Sequence, residues 1–331
     1  MSNDVPKVSI CCAYFNRSTY LRETLDSLLA QDYGSFEVVL VNDGSTDLEV
    51  ERILSTYSDP RLRVIHQANT GFVGAIRRAI DESKGEYIAI QGAGDVSYPN
   101  RVRIQAQVLD DNLDIGIVSC RQQNLIVGGA HDGKRSLSRL VSVEPTIDIL
   151  AGKHSPIIHG EVMFRRGLYD KVGGYRSFFT FSQDRDMFLR MAQFCKIRVL
   201  DEVLYQRNHF HVDGVNSNGE KAIQQRALTL FAIQCHYDRL KYGYDLLEQY
   251  GHMGFLFRKK SKKLANTAAE RALECLVRGN LNGADICSRA GMDEAKTLKT
   301  IVSFLVVNAG LRVPLVTRLV KSANSVRHRL L

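Results

Sequence analysis

Acids, aromatics and cations sit at the ends of apolar runs in this chain, where a folded sheet would present them together. The run VSICCA (8–13) is followed by Tyr14-Phe15-Asn16-Arg17, and FEVVLV (36–41) by Asn42-Asp43-Gly44-Ser45-Thr46-Asp47. An aromatic ring can stack on a nucleobase, and a carboxylate accepts hydrogen bonds from a ring N–H. The same N-D-G-S-T-D string also suits a tight turn with a helix-capping Asp or Ser, so both readings stand at this point. Further on, Gln91-Gly92-Ala93-Gly94-Asp95 follows another apolar run, and Gln183-Asp184-Arg185-Asp186 brings two acids into one short segment. Arg207-Asn208-His209-Phe210-His211 gathers a cation and two imidazoles. A placed carboxylate can take a proton from a hydroxyl, and a placed cation can stabilise charge on a leaving group.

The segments that position these groups alternate in type. Strand candidates are 8–13, 36–41, 63–65, 86–91 and 115–120, with helical stretches near 19–30, 47–57, 72–83 and 99–110. The last is opened by Pro99 at a first helical position. Near-continuous apolar strands separated by helices predict a mainly parallel central sheet with flanking helices. Ligands in such sheets bind beyond the carboxyl ends of the strands, which is where the groups at 14–17, 42–47 and 91–95 fall. Residues 121–180 read as loops and short strands around a site. From about 220 the pattern is helical, with 271–290 forming two helices joined through Gly279–Gly283. The expected division is a nucleotide-binding domain over 1–220 and a basic helical region over 221–331.

The net charge of +8 is concentrated late in the chain. Residues 251–331 hold fifteen Lys/Arg against five Asp/Glu, and 297–331 contain no acid. A basic end rich in Ile, Val and Leu, broken by Pro314, suits an anionic membrane surface or packing on the main domain. Seven cysteines without a C-x-x-C pair argue against a zinc site or a disulfide framework and for a reducing compartment. With no secretory signal visible, a cytoplasmic location is expected, peripheral on the inner membrane face. The turn after the first strand has no G-x-G-x-x-G, which excludes a dinucleotide oxidoreductase, and no glycine, which argues against a nucleotidyltransferase. No Walker sequence and no nucleic-acid-binding motif occurs.

The segment VSICCAYFNRSTYLRETLDSLLAQDYGSFEVVLVNDGSTD resembles the N-terminal signature of the family 2 glycosyltransferases. The resemblance continues through Asn69-x-Gly71, Gly85-Glu86-Tyr87-Ile88, Pro99-Asn100-Arg101, Gly173-Gly174-Tyr175-Arg176 and Gln183–Arg190, covering about residues 7–215. It implies a GT-A fold (Rossmann-like α/β), a nucleotide-diphosphate sugar donor and inversion at the anomeric carbon. It places Ala13, Phe15, Asn16, Asp43, Gly44 and Asp95 around the donor nucleotide, with a uridine donor favoured. It makes Asp184 the general base and Asp186 and Arg190 structural. Arg207 and His209 fall on the segment that closes over the donor phosphates, and His159, Glu161, Gly174 and Tyr175 on the sugar or acceptor pocket. The expected acceptor is a glycan or lipid-linked oligosaccharide of a surface polysaccharide.

One motif departs from the family. Where D-x-D-D usually holds the metal that bridges the donor diphosphate, this chain has Gly92-Ala93-Gly94-Asp95. Asp95, with His209, is the remaining candidate ligand for Mn2+ or Mg2+, and the glycines put metal dependence in question. The alternative is an inactive nucleotide-sugar-binding partner in a glycan assembly complex.

Overall fold

The computed structural model describes residues 5–152, 155–210 and 219–313. It divides into two compact units, Met1–His211 and Val212–Leu331.

The first unit is built on one mixed sheet. Strands β1 (Val8–Tyr14), β2 (Phe36–Asp43), β3 (Leu62–Gln67) and β4 (Tyr87–Gln91) pair in parallel in the order β3-β2-β1-β4. Helices α1 (Ser18–Leu29), α2 (Leu48–Leu54) and α3 (Gly71–Glu82) make the crossovers. Every residue of β1 is buried, as a strand covered on both faces requires. Leu28, Phe36, Val38 and Tyr87 fill one layer with Val102 and Leu109 of α4 (Arg101–Asp111). Leu21, Leu25, Leu40, Val50 and Ile53 fill another. Helix α3 turns Val73, Ala75, Ile76, Ala79 and Ile80 inward, the i, i+3, i+4 spacing of an amphipathic helix. Helix α4 begins at Arg101, so Pro99 lies before the helix rather than within its first turn.

Beyond β4 the parallel order ends. The short β5 (Val96–Ser97) is followed by β6 (Ile115–Val127), β7 (Arg135–Leu137), α5 (Ile147–Ala151), β8 (Met163–Arg165), α6 (Arg166–Lys171), α7 (Gln183–Met191) and β9 (Lys196–Phe210). Strand β8 pairs antiparallel with both β4 and β6, while β6 and β9 run parallel to each other. The sheet is therefore more mixed than the alternating pattern implied. Its fifth apolar run also continues to Val127 instead of stopping at residue 120. The extension is mostly half-exposed and opens on the polar Arg121-Gln122-Gln123-Asn124, which interrupts the apolar run; pairing with β9 and β7 holds it. Through β9, residues 205–210 are carried back alongside the loop after β4.

The second unit contains α8 (Gly219–Tyr242), α9 (Leu246–Tyr250), α10 (Lys262–Arg278), α11 (Leu281–Glu294) and α12 (Leu298–Arg312). Gly279, at φ 81°, closes α10, and the Asn280 side chain accepts from Gly283 N to start α11. Helix α12 buries Thr300, Ser303, Val307 and Gly310 and exposes Leu298, Ile301, Val302, Leu305 and Leu311. No helix among the described residues is long and apolar enough to cross a membrane. Pro314 and most of the acid-free tail lie outside the described residues.

Candidate functional site

The strand-end residues of β1 and β2 interlock. Asn16 and Arg17 both take positive φ, 55° and 60°, a conformation uncommon for side chains other than glycine. The turn is held by Asn16 Oδ1, which accepts from Thr46 N (2.9 Å) and Asp47 N (3.2 Å), while Asn16 N donates to Ser45 Oγ (2.8 Å). Ala13 is buried at the end of β1, and Phe15 next to it is 45% exposed, its ring available to a ligand. Gly44, at φ 69°, lies against the Asn69 backbone. Asp43 is buried, and its Oδ1 accepts from Thr70 N (2.9 Å), Thr70 Oγ1 (3.1 Å) and Gln67 Nε2 (2.8 Å). Its Oδ2 receives no hydrogen bond among the described residues. Gln67 and Thr70 also line a groove of about 580 Å³ with Phe72, Arg77, Ser177 and Thr180. The sequence reading missed Gln67 and Thr70, since neither residue type marks a site until Asp43 is seen to bind both.

Asp184 sits in the first turn of α7, half-buried, after Ser182 at φ 59°. Its Oδ1 accepts from Arg185 N (2.8 Å), and a carboxylate at a helix N-terminus is favoured by the unpaired N–H groups there. Asp186, two residues on in the same first turn, is buried between Arg176 and Arg190, with Arg190 Nη2 at 2.8 Å. Arg190 also donates to Gly174 O (2.7 Å) and Val172 O (2.5 Å), tying α7 to the Gly173-Gly174-Tyr175 loop. Tyr175 is buried, and its hydroxyl lies 2.5 Å from His159 Nε2. Burial lowers the His159 pKa, against the opposing charge of Asp184, so the imidazole is held neutral. The structure thus brings Asp184, His159, Gly174 and Tyr175 into one cluster.

Glu161 is buried beneath that cluster rather than exposed in a pocket. Its Oε1 accepts from Ile158 N (2.6 Å) and Ser119 Oγ (3.1 Å), and its Oε2 is buried without a hydrogen-bond partner. Burial pushes its carboxyl up to about 8.

The loop after β4 is closed by β9. Asp95 Oδ2 accepts from the Tyr205 hydroxyl (2.8 Å), and Oδ1 accepts from Asn208 N (2.8 Å). Asn208 Nδ2 donates to Gly94 O (2.7 Å), and Gly92 N donates to the Tyr205 hydroxyl oxygen (3.0 Å). Burial raises the Asp95 pKa, opposed by these bonds and by the charges of Arg207 and Arg17. A Cβ on Gly92 would lie 2.3 Å from Asp95 Oδ2, and one on Gly94 (φ 88°) 2.8 Å from the Phe210 ring. Arg17 Nη1 donates to Ala93 O (3.0 Å), and its guanidinium lies 4.5 Å from the Phe210 ring centroid. His209 hydrogen-bonds Asn124 Oδ1 through Nε2 (2.8 Å), and burial, with Arg207, lowers its pKa. The Arg207 side chain makes no hydrogen bond or ion pair among the described residues, while its backbone pairs with Asn124 in the sheet. His211 lies outside them.

These residues do not fit a protein-held divalent cation. Both Asp95 oxygens are bonded within the fold, the two flanking positions have no room for an acid, and His209 is turned to Asn124. Among the described residues no group of three or more His, Cys, Asp or Glu side chains converges. Arg17, Tyr205, Asn208 and Phe210 are the functional neighbours that sequence reasoning passed over.

Residues 9–173 match the sequence profile of the family described as Glycosyl transferase family 2. An uncharacterized glycosyltransferase of Rickettsia prowazekii is 32% identical over 210 residues, spanning 60% of this chain and 63% of that protein. The putative glycosyltransferase EpsE of Bacillus subtilis is 30% identical over 178 residues, spanning 53% of this chain and 62% of EpsE. The chain spans 34% of another relative, from Rickettsia felis, so it covers less than two-thirds of these proteins. Among solved structures, the 1–349 fragment of S. aureus TarS in complex with UDP-GlcNAc superposes with a TM-score of 0.58, covering 92% of this chain and 91% of that one at 16% identity. A mannosyltransferase from Pyrobaculum calidifontis, in complex with GDP-Man and Mn2+, gives 0.53 over 97% and 84% at 17% identity. At such identities the likeness establishes the fold, a GT-A α/β sheet.

Proposed function

The N-terminal unit belongs to glycosyl transferase family 2, and from that premise we propose that the chain is an inverting glycosyltransferase using a nucleotide-diphosphate sugar. The observation that carries this is the pairing of a nucleotide-facing end, Phe15 and Asp43, with a retained carboxylate, Asp184, on a braced helix. Phe15 stacks on the base, and Asp43 Oδ2 accepts from a base N–H while Oδ1 is anchored to Thr70 and Gln67. Asp184 takes the proton of the acceptor hydroxyl as that oxygen attacks the anomeric carbon from the face opposite the leaving nucleoside diphosphate. Proton transfer to a placed base is worth about 10²–10⁴ in rate. The Asp186–Arg190 pair fixes the helix turn from which Asp184 projects, and neutral His159 with Tyr175 lines the sugar side.

A UDP-sugar is the favoured donor, supported by the UDP-GlcNAc bound to the structurally similar TarS. The acceptor is a glycan or lipid-linked oligosaccharide met at an anionic membrane surface, supported by the exposed apolar row of α12 within a basic, acid-poor region.

The test incubates the full chain with UDP-, GDP- and dTDP-sugars and lipid-linked acceptors in anionic vesicles. Nucleoside diphosphate release is measured, and the anomeric configuration of the product is read by NMR. One nucleotide class should support transfer with inversion. Retention would sink the assigned chemistry, and nucleotide binding without transfer to any acceptor would favour the inactive-partner reading.

A further inference from the structure

The place where the family pattern sets acids for a cation is filled by other groups of this chain. On one side, the Tyr205 hydroxyl stands between Gly92 N and Asp95 Oδ2, so a side chain at position 92 would strike both Asp95 and Tyr205. On the other, the Phe210 ring lies over Gly94, whose φ of 88° already disfavours any side chain. Asp95 is turned inward, both oxygens bonded, as a pin that joins the loop after β4 to β9. The guanidinium of Arg17 stands beside this loop, bonded to Ala93 O and stacked on Phe210, and brings positive charge to it. Its backbone is held in the left-handed region, at φ 60°, next to the equally unusual Asn16. Arg207, half-buried on β9, directly precedes Asn208, whose N and Nδ2 bond Asp95 and Gly94, and so brings a second guanidinium to the same loop.

We propose that Arg17 and Arg207 neutralise the donor diphosphate in place of a protein-held divalent cation. The inference rests on the nucleotide-sugar reading above. A guanidinium presents several N–H donors in a planar fork that matches phosphate oxygens, so two of them supply charge and orientation together. Unlike a metal held by carboxylates, this arrangement needs no acid at 92 or 94. The glycines are then the counterpart of Tyr205 and Phe210, not a decayed motif.

The experiment is calorimetric titration of the full chain with UDP and with uridine, in EDTA and in Mn2+. It is run on the wild type and on Arg17→Gln, Arg207→Gln and Arg207→Lys, with circular dichroism melts establishing that each variant folds. Wild-type UDP affinity should differ by less than about threefold between the two buffers. Each Arg→Gln change should weaken UDP about tenfold or more while leaving uridine within about twofold, and Arg207→Lys should recover part of the loss. Should Arg17→Gln fail to fold, Arg207→Gln and Arg207→Lys carry the test. Mn2+ strengthening UDP binding by tenfold or more in the wild type would overturn the proposal while leaving the donor reading standing. So would Arg207→Gln with unchanged UDP affinity. Failure of UDP, GDP and dTDP to bind in either buffer would remove the donor reading, and this proposal with it.

Discussion

Two regions of the N-terminal unit, α7 and the loop after β4, hold their acids in opposite ways. Around α7 the acids are kept: Asp186 is paired with two arginines inside the fold, and Asp184 stands beside them at the helix start. Around the loop after β4 the acids are lost, and the one that remains, Asp95, is bonded to Tyr205 and Asn208. A carboxylate that must take a proton needs partial access to water and a fixed direction, which the first arrangement supplies. A buried carboxylate with both oxygens occupied serves as a structural tie, which is what the second contains. Sequence position alone ranked Asp95 with Asp184 as functional acids; their surroundings separate them.

The largest effect that would break this comparison is at Asp184. Asp184→Asn should reduce kcat by about 10²–10⁴ with UDP affinity unchanged, measured by steady-state product release beside calorimetry. A loss shared equally by Asp95→Asn and Asp184→Asn, with folding intact, would erase the distinction between the two sides.

A smaller effect follows from rebuilding the missing acid. Gly94→Asp forces a side chain into positive φ and against Phe210, and should cost about 1–3 kcal/mol in a denaturant titration. UDP binding should stay insensitive to Mn2+. A stable variant that gains Mn2+-dependent UDP binding would show that the cation site was only vacated and not refilled.

The smallest effect sharpens the picture of the ground between the two sides. Glu161 is held at about 8 by burial, against an ordinary 4.5. Between those values the folded chain keeps a proton that the unfolded chain releases, so stability falls as pH rises through that window and the full penalty is reached above about 8. Glu161→Gln should therefore raise Tm more at pH 9 than at pH 5, by about 5 °C. Equal shifts at the two pH values would mean that the carboxyl is not held neutral in the fold.

Much of the first unit was legible because its signals are local. Strands β1, β2 and β4 are near-continuous apolar runs, helices α1 to α3 carry their own periodicity, and the strings around Phe15, Asp43 and Asp184 keep a recognisable order. The polar stretch Arg121–Asn124 of β6 gave no such signal, because only β9 and β7 hold it. The roles within the site divided the same way. Asp186 and Arg190 could be paired from their i, i+4 spacing. Nothing near Asp95 announces that Tyr205 and Asn208, more than a hundred residues later, will take both its oxygens.

By itself, then, the sequence determined the parallel start of the sheet, the resemblance to a sugar-transferring family and the presence of an acid at 184. It also showed that two acids were missing at 92 and 94. Only the tertiary structure decided what surrounds them, since Tyr205 and Phe210 of the last strand close on Gly92 and Gly94, and Arg17, after the first strand, bonds Ala93 O between them. Residue types set which interactions are available, but long-range packing selects which of them are made. A carboxylate is a base, a ligand or a structural tie according to the groups the fold brings against it.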